Sequence, residues 1–344
     1  MKFDFIIGNP PYQDEAIGDN KTFAPPIYHK FLENAYGVAD VVEMIHPARF
    51  LFNAGNTPKQ WNAEMLADPH LKVLHYEQDS SKVFGNTEIK GGIAVTLHDG
   101  RKDFGAIGTF TPYEELNSVL KKVRNAENFS SMKDIVITRT AYRLTDEMHK
   151  DYPEAINQLS NGHPYDMSTN IFERLPQVFS DSKPDDDEEY IRILGRKGNE
   201  RVYKYVRMRY VVKVKNLDKY KLLLPSANGN GVLGEVLSMP IVGEPFTGST
   251  ETFISIGCFD EKEEAMAALK YVKTKFVRIL LGVLKVTQHI TPEKWLYVPV
   301  QNFTASSDID WSKSVSEIDQ QLYWKYGLTK EEIAFIESHG KEME

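Results

Sequence analysis

The sequence predicts an α/β fold followed by a mixed α+β region and a short helical tail. Three observations carry this reading: strand-like and helix-like patterns alternate over residues 3–99, short strands and turns replace them from Ile135 onward, and two short helical patterns follow Asp310. FDFIIG (3–8) reads as a buried strand, and residues 28–36 carry apolar side chains at helical spacing. VVEMIHP (41–47) is a second strand and residues 59–66 a second helix, while LKVLHYE (71–77) and GGIAVTLHD (91–99) complete the series. This order predicts crossovers early in the sheet and a hairpin at its end. Composition shifts after Gly100, and residues 101–135 read as a connection through a charged helical pattern. In 261–285 the side chains Ala265, Leu269, Val272, Phe276, Ile279 and Val283 fall on one face, which predicts one long helix. In the tail Gly327 separates the two helical patterns, and Thr329 and Glu332 have the spacing of a capping box.

The chain has 344 residues, 41% hydrophobic and 26% charged, with a mean hydropathy of −0.41. These values exclude disorder and collagen-like repetition. The longest near-continuous apolar run, Ile279 to Leu284, is far short of the roughly 18 residues of a membrane-spanning helix. FDFIIG is interrupted by Asp4 and has no small-residue cleavage site after it, so no signal peptide is expected. A lone cysteine, Cys258, cannot form an internal disulfide and points to a reducing cytoplasm. The net charge of −8 is strongly segregated: residues 191–221 hold eleven Lys or Arg against two Asp or Glu, directly after the acidic run 185–189. That run reads most simply as a solvated loop.

The segment most specific to chemistry is Asn9-Pro10-Pro11-Tyr12, directly after the first strand. In an open α/β sheet a loop at the carboxyl end of a strand lies where ligands bind. Two prolines stiffen it, so the Asn9 amide oxygen and the prolyl carbonyl can act as fixed acceptors. An exocyclic amine on an aromatic base suits them, since two acceptors on its hydrogens favour a more tetrahedral, more nucleophilic nitrogen. Tyr12 offers a ring for the base to stack on. The plain alternative is a proline-rich turn with a buried tyrosine.

A strand followed by this tetrapeptide resembles the restriction-modification adenine-N6 DNA methyltransferases of the gamma arrangement, in which it is the catalytic motif. DSSKVFGNTEIKGGIAV (79–95), YKLLLPSANGNGVLGE (220–235) and residues 298–337 are also similar to segments of that family. The resemblance implies a partial Rossmann-like methyltransferase sheet, S-adenosylmethionine as cofactor and double-stranded DNA as partner. It further implies that Asn9 and the Pro10 carbonyl accept from the adenine amino group, with Pro11 stiffening the turn. Tyr12 and Phe84 would then stack on the two faces of a base flipped out of the duplex. On this pattern residues 1–105 are the C-terminal half of the catalytic domain and 106–135 a connector. Residues 136–300 are the target-recognition domain and 301–344 a helical tail.

The basic segment interleaves tyrosines with Arg192, Arg196, Lys197, Arg201, Lys204, Arg207 and Arg209, which are the candidate DNA contacts. In strand register Tyr203, Tyr205, Arg207 and Arg209 share one face, and residues 195–199 would present basic side chains at a hairpin tip. A basic strand that merely balances the acidic loop is the alternative. Other motifs point elsewhere. Gly229-Asn230-Gly231-Val232-Leu233-Gly234 fits a dinucleotide fingerprint, but Pro240 leaves no room for the helix that should follow, and a Gly-rich turn is expected instead. Asp79 with Glu88 and Lys90 mimics a magnesium nuclease by a short and common pattern. The histidines and Cys258 lack metal-ligand spacing, so no structural zinc is expected.

The family's cofactor turn lies many tens of residues before the catalytic motif, whereas eight residues precede Asn9 here. Two functions follow. The chain is either the target-adenine and recognition part of a methyltransferase completed by an N-terminal fragment, or a non-catalytic DNA-recognition module or remnant. A paired restriction endonuclease is compatible with both. An incomplete sheet would leave apolar surface exposed, which predicts self-association or dependence on a partner.

Overall fold

The computed structural model describes residues 2–14, 24–53, 56–85, 89, 91–198, 200–229, 231–285 and 288–343. Glu88 and Lys90 of the nuclease-like pattern, Asn199 of the hairpin tip and Asn230 of the glycine-rich segment lie outside them. The chain divides into two compact units, residues 1–117 and 118–344.

In the first unit β1 (Phe3–Gly8), α1 (Tyr28–Val38) and β2 (Ala39–Pro47) form a crossover, and the two strands pair in parallel from Phe3↔Ala39 to Gly8↔Met44. Next come α2 (Lys59–Ala67), β3 (Leu71–Glu77) and β4 (Ile93–Asp99). Among the described residues the sheet order is β1-β2-β4-β3, with β4 antiparallel to both neighbours. The early crossover and closing hairpin are thus as the sequence predicts. Tyr28, Leu32 and Ala35 repeat at helical spacing along α1 and pack on Val42 and Met44 of β2, where Trp61 and Met65 of α2 join them.

β1 departs from expectation. Phe3, Phe5 and Ile7 alternate onto one face and are 47%, 50% and 72% exposed, although the strand reads as buried. The reason is local: β1 has β2 as its sheet neighbour among the described residues, and the core that α1 and α2 build lies on the other face, with Ile6. A parallel strand with two apolar faces is ordinarily covered on both. Here one apolar face of β1 is exposed.

α3 (Glu114–Arg124) carries the chain into the second unit, where its Lys122 pairs with Glu332 at 2.7 Å. Then follow β5 (Val136–Ile137) and the short helices α4 (Asp146–Asp151), α5 (Ala155–Gln158) and α6 (Ile171–Arg174). The strands β6 (Tyr190–Lys197), β7 (Glu200–Arg207), β8 (Tyr220–Pro225), β9 (Ile241–Gly243), β10 (Thr247–Ser249) and β11 (Phe253–Phe259) come next. Among the described residues they form two sheets, β10-β6-β7 and β5-β11-β8-β9. Ile191, Ile193 and Val206 bury one face of the β6–β7 hairpin against Met148, Ala155, Ile171 and Phe172. Leu194 turns the other way, onto Leu223 and Phe253 of the second sheet.

The long helix expected over 261–285 is two helices, α7 (Lys262–Lys273) and α8 (Lys275–Leu284), broken at Thr274. The cause is a cap built at long range. The Thr274 hydroxyl accepts from the Val277 N–H at 3.2 Å, and the buried Asp319 carboxylate accepts from the N–H groups of Lys275 and Phe276, each at 2.9 Å. Asp319 belongs to α9 (Val315–Lys325), which α10 (Lys330–His339) follows after Gly327 at φ 59°. Thr329 and Glu332 form the expected capping box, and Ser314 with Glu317 forms a second. Asp319→Ala, which strands two buried donors, is expected to cost about 1–3 kcal/mol in urea unfolding. Thr274→Ala is expected to cost about 1 kcal/mol by the same measurement.

Candidate functional site

Asn9 follows the last residue of β1, and the parallel ladder ends there. Pro10 and Pro11 have no N–H to continue it. Asn9 and Pro11 are exposed, Pro10 is buried and Tyr12 is half-buried. The chain is caught again at once: the Ile27 N–H donates to the Tyr12 carbonyl at 3.1 Å, the Asp14 N–H donates to the Pro25 carbonyl at 2.9 Å, and Gln13 bridges Pro26. Tyr12 is thereby tied to the start of α1. Burial pushes its hydroxyl pKa up, and the Asn9 side chain beside it partly offsets the rise.

Phe84 reaches the same place from a distant segment. The Asp79 side chain caps a short 3-10 turn, Ser80–Lys82, by accepting from the Ser81 N–H at 3.1 Å and the Ser81 hydroxyl at 2.6 Å. The Phe84 N–H donates to the Ser80 carbonyl at 2.9 Å. The Phe84 ring meets that of Tyr12 edge to face, with centroids 6.4 Å apart and planes at 61°. A flat base cannot enter between rings in this attitude, so stacking on both faces requires them to turn. Asp79 is thus engaged as a cap, and Ser81 holds its carboxyl below the usual carboxylate range.

Beside Tyr12 lies a hollow of about 130 Å³, lined among others by Tyr28, Pro47, Arg49 and Thr57. Under it His46 is fully buried, stacked on Tyr28 with centroids 5.7 Å apart, and its Nε2 is 2.8 Å from the Thr96 hydroxyl. Sequence reading missed His46. It sits in an apolar strand with no pattern that marks it.

In the second unit the hairpin forms as expected, with Gly198 at φ 57° and Arg196 opposite Arg201 at its tip. β7 ends at Arg207, so Arg209 lies in the following turn rather than on the strand face. The acidic run is not a merely solvated loop. Asp186 accepts from the Tyr190 hydroxyl at 2.8 Å, and Asp186 and Glu188 lie 3.5 and 3.7 Å from Arg207. Arg209 pairs with Asp151 at 2.7 Å and Glu188 at 3.3 Å. Arg192 pairs with Glu244 at 2.8 Å, and Lys204 pairs with Asp181. Arg201 donates to the Met239 carbonyl at 2.6 Å and lies over the Phe253 ring. Lys197 is exposed at the tip. The candidates therefore separate into four side chains held by carboxylates and three at the hairpin tip.

The described residues of the glycine-rich segment 229–234 form a turn, and none of the described residues from there to Pro240 is helical. Gly229 and Gly234 have positive φ, and each is crowded by protein: the Glu235 carboxylate lies against the first and the backbone of 339–340 against the second. Their missing Cβ atoms make room for packing rather than for a phosphate.

Comparison with known proteins agrees with the N-terminal motif. Residues 1–84 match the family described as Eco57I restriction-modification methylase. A protein of Mycoplasma pneumoniae described as an uncharacterized adenine-specific methylase is 35% identical over 99 residues, covering 28% of this chain. Through its N-terminal segment the chain is thus similar to restriction-modification adenine methylases. It spans about a quarter of the length of that curated relative (24%). Among solved structures, the type IIG restriction endonuclease BpuSI overlaps 98% of this chain and 53% of its own, at 11% identity and a TM-score of 0.35. The type IIL restriction-modification enzyme MmeI, in complex with DNA, overlaps 98% and 57%, at 9% identity and the same TM-score of 0.35. These overlaps are too loose to define a shared fold. No helix among the described residues is long and apolar enough to cross a membrane.

The family implies S-adenosylmethionine, and the described residues do not fit it. The hollow beside Tyr12, about 130 Å³, is well below the roughly 300–1,000 Å³ of small-molecule pockets. The glycine-rich turn is filled by Glu235 and by residues 339–340.

Burial pushes the His46 pKa down to about 4, against about 6.5 in an unfolded chain. The folded state holds the ring neutral while the unfolded state takes up a proton below pH 6.5. The contribution to stability is therefore complete above that pH and is lost as pH falls toward 4. Relative to pH 7.5, a loss of about 2 kcal/mol is expected at pH 5, read as hydrogen-exchange protection of the β2 amides. The loss should be absent in His46→Gln.

Proposed function

We propose that this chain is the target-adenine and DNA-recognition component of a site-specific adenine-N6 methyltransferase in a restriction-modification system. The observation that carries the reading is the meeting of Tyr12 and Phe84 at the carboxyl end of β1, beside Asn9. In this reading the base leaves the duplex, because its amino group cannot be reached in line within the stack. Asn9 and the Pro10 carbonyl accept its two N–H bonds and orient the nitrogen lone pair. The two rings turn to hold the base faces. Residues 1–105 are the later half of a Rossmann-like catalytic domain, 106–135 a connector, 136–300 the recognition domain and 301–344 a tail.

The poor fit of these residues to S-adenosylmethionine supports a division of labour, in which a segment outside residues 1–344 holds the methyl donor. It equally favours a second reading, a DNA-recognition module without catalysis. A polypeptide carrying the glycine-rich cofactor half of such a methylase is the natural complement to test. With tritiated S-adenosylmethionine and unmodified genomic DNA, the pair is expected to form N6-methyladenine, identified by mass spectrometry of the nucleosides. Asn9→Ala is expected to lower the rate by about 10²-fold or more while duplex binding persists. Duplex binding without transfer by the pair would select the module, and transfer to cytosine would overturn the adenine assignment.

A further inference from the structure

The tip of the β6–β7 hairpin opens on a cleft of about 480 Å³ whose walls include Arg139, Arg196, Arg201, Glu251 and Thr252. The arginines come from separate parts of the chain. Arg196 and Arg201 are partners across the hairpin, and Arg139 lies just beyond β5. Three guanidinium groups and the Glu251 carboxylate share this hollow, and like positive charges so gathered attract anions. That carboxylate meets Arg139 at 3.7 Å, with Arg139 still 56% exposed. A long contact at such exposure is weak and easily exchanged.

Arg201 contrasts with it in being held in place, by the Met239 carbonyl at 2.6 Å and the Phe253 ring 5.6 Å away. A planar guanidinium fork fixed at the wall of a hollow is the chemistry of oxyanion recognition. Arg207 and Arg209, on the other side of the division, already have carboxylates on them.

We propose that this cleft holds phosphate groups of a nucleic-acid strand through Arg139, Arg196 and Arg201, with Glu251 competing for Arg139 until a phosphate displaces it. The proposal rests on the reading that the chain acts on DNA, and it assigns the backbone contacts to the hairpin tip rather than to the strand face that ends in Arg207.

The test is fluorescence anisotropy of a short labelled duplex with the full chain, across a range of salt. Arg139→Gln and Arg196→Gln are each expected to reduce the slope of log affinity against log salt by about 1. Glu251→Gln is expected to tighten binding, a gain that misfolding cannot produce. Unchanged slopes and no tightening, with duplex binding intact, overturn the cleft and leave the DNA reading standing. No duplex binding by the unaltered chain at low salt overturns both. Inorganic phosphate or adenosine monophosphate at millimolar concentration, against a matched chloride control, distinguishes the source of the phosphate. Specific displacement of the duplex by either one, with the Arg139→Gln slope unchanged, assigns the cleft to a free phosphate and overturns the strand contact.

Discussion

Two consecutive prolines at the end of an edge strand set the terms for the first unit. Pro10 and Pro11 cannot donate to the ladder, so pairing with β2 ends at Gly8↔Met44 and the chain must leave the sheet. It is fixed again where the Ile27 N–H reaches the Tyr12 carbonyl, one residue before α1. Tyr28 at the head of α1 then stacks on His46 of β2, and its neighbours Leu32 and Ala35 close the core. The motif and the packing of the helix are thus one construction. A change that relaxed the proline turn would disturb both.

The same economy governs charge in the second unit. An excess of basic residues next to an acidic run need not mean a uniform binding surface. Arg207 and Arg209 are folded into a network with Asp151, Asp186, Glu188 and the Tyr210 hydroxyl, where they hold loops together. Buried lysines elsewhere do similar work. Lys285 pairs with Glu235 behind the glycine-rich turn, and Lys221 donates to the carbonyls of Leu217 and Thr247. Burial pulls the Lys221 pKa down to about 7. The bulk charge of −8 describes none of this.

Legibility from sequence followed the range of the interaction. Elements set by local periodicity and local caps were readable, including the crossover β1-α1-β2, the β6–β7 hairpin and the Thr329 capping box. The break between α7 and α8 was not, because half of its cap is Asp319, 45 residues beyond Thr274, and Val277 stands where a capping box would place an acid. The burial of FDFIIG was misjudged because a strand's composition does not reveal how many neighbours it has. At the candidate site Asn9 to Tyr12 were legible as a contiguous motif, and Phe84 through the family pattern. Arg139 was invisible. It stands in a polar loop and acquires meaning only beside Arg196 and Arg201.

On the proposed function, residues 1–344 supply a target-base pocket and the methyl donor is held elsewhere. Calorimetric titration of S-adenosylmethionine into residues 1–344 tests it most directly. The account predicts no saturable heat up to millimolar cofactor. Stoichiometric binding in the micromolar range by this chain alone would contradict it.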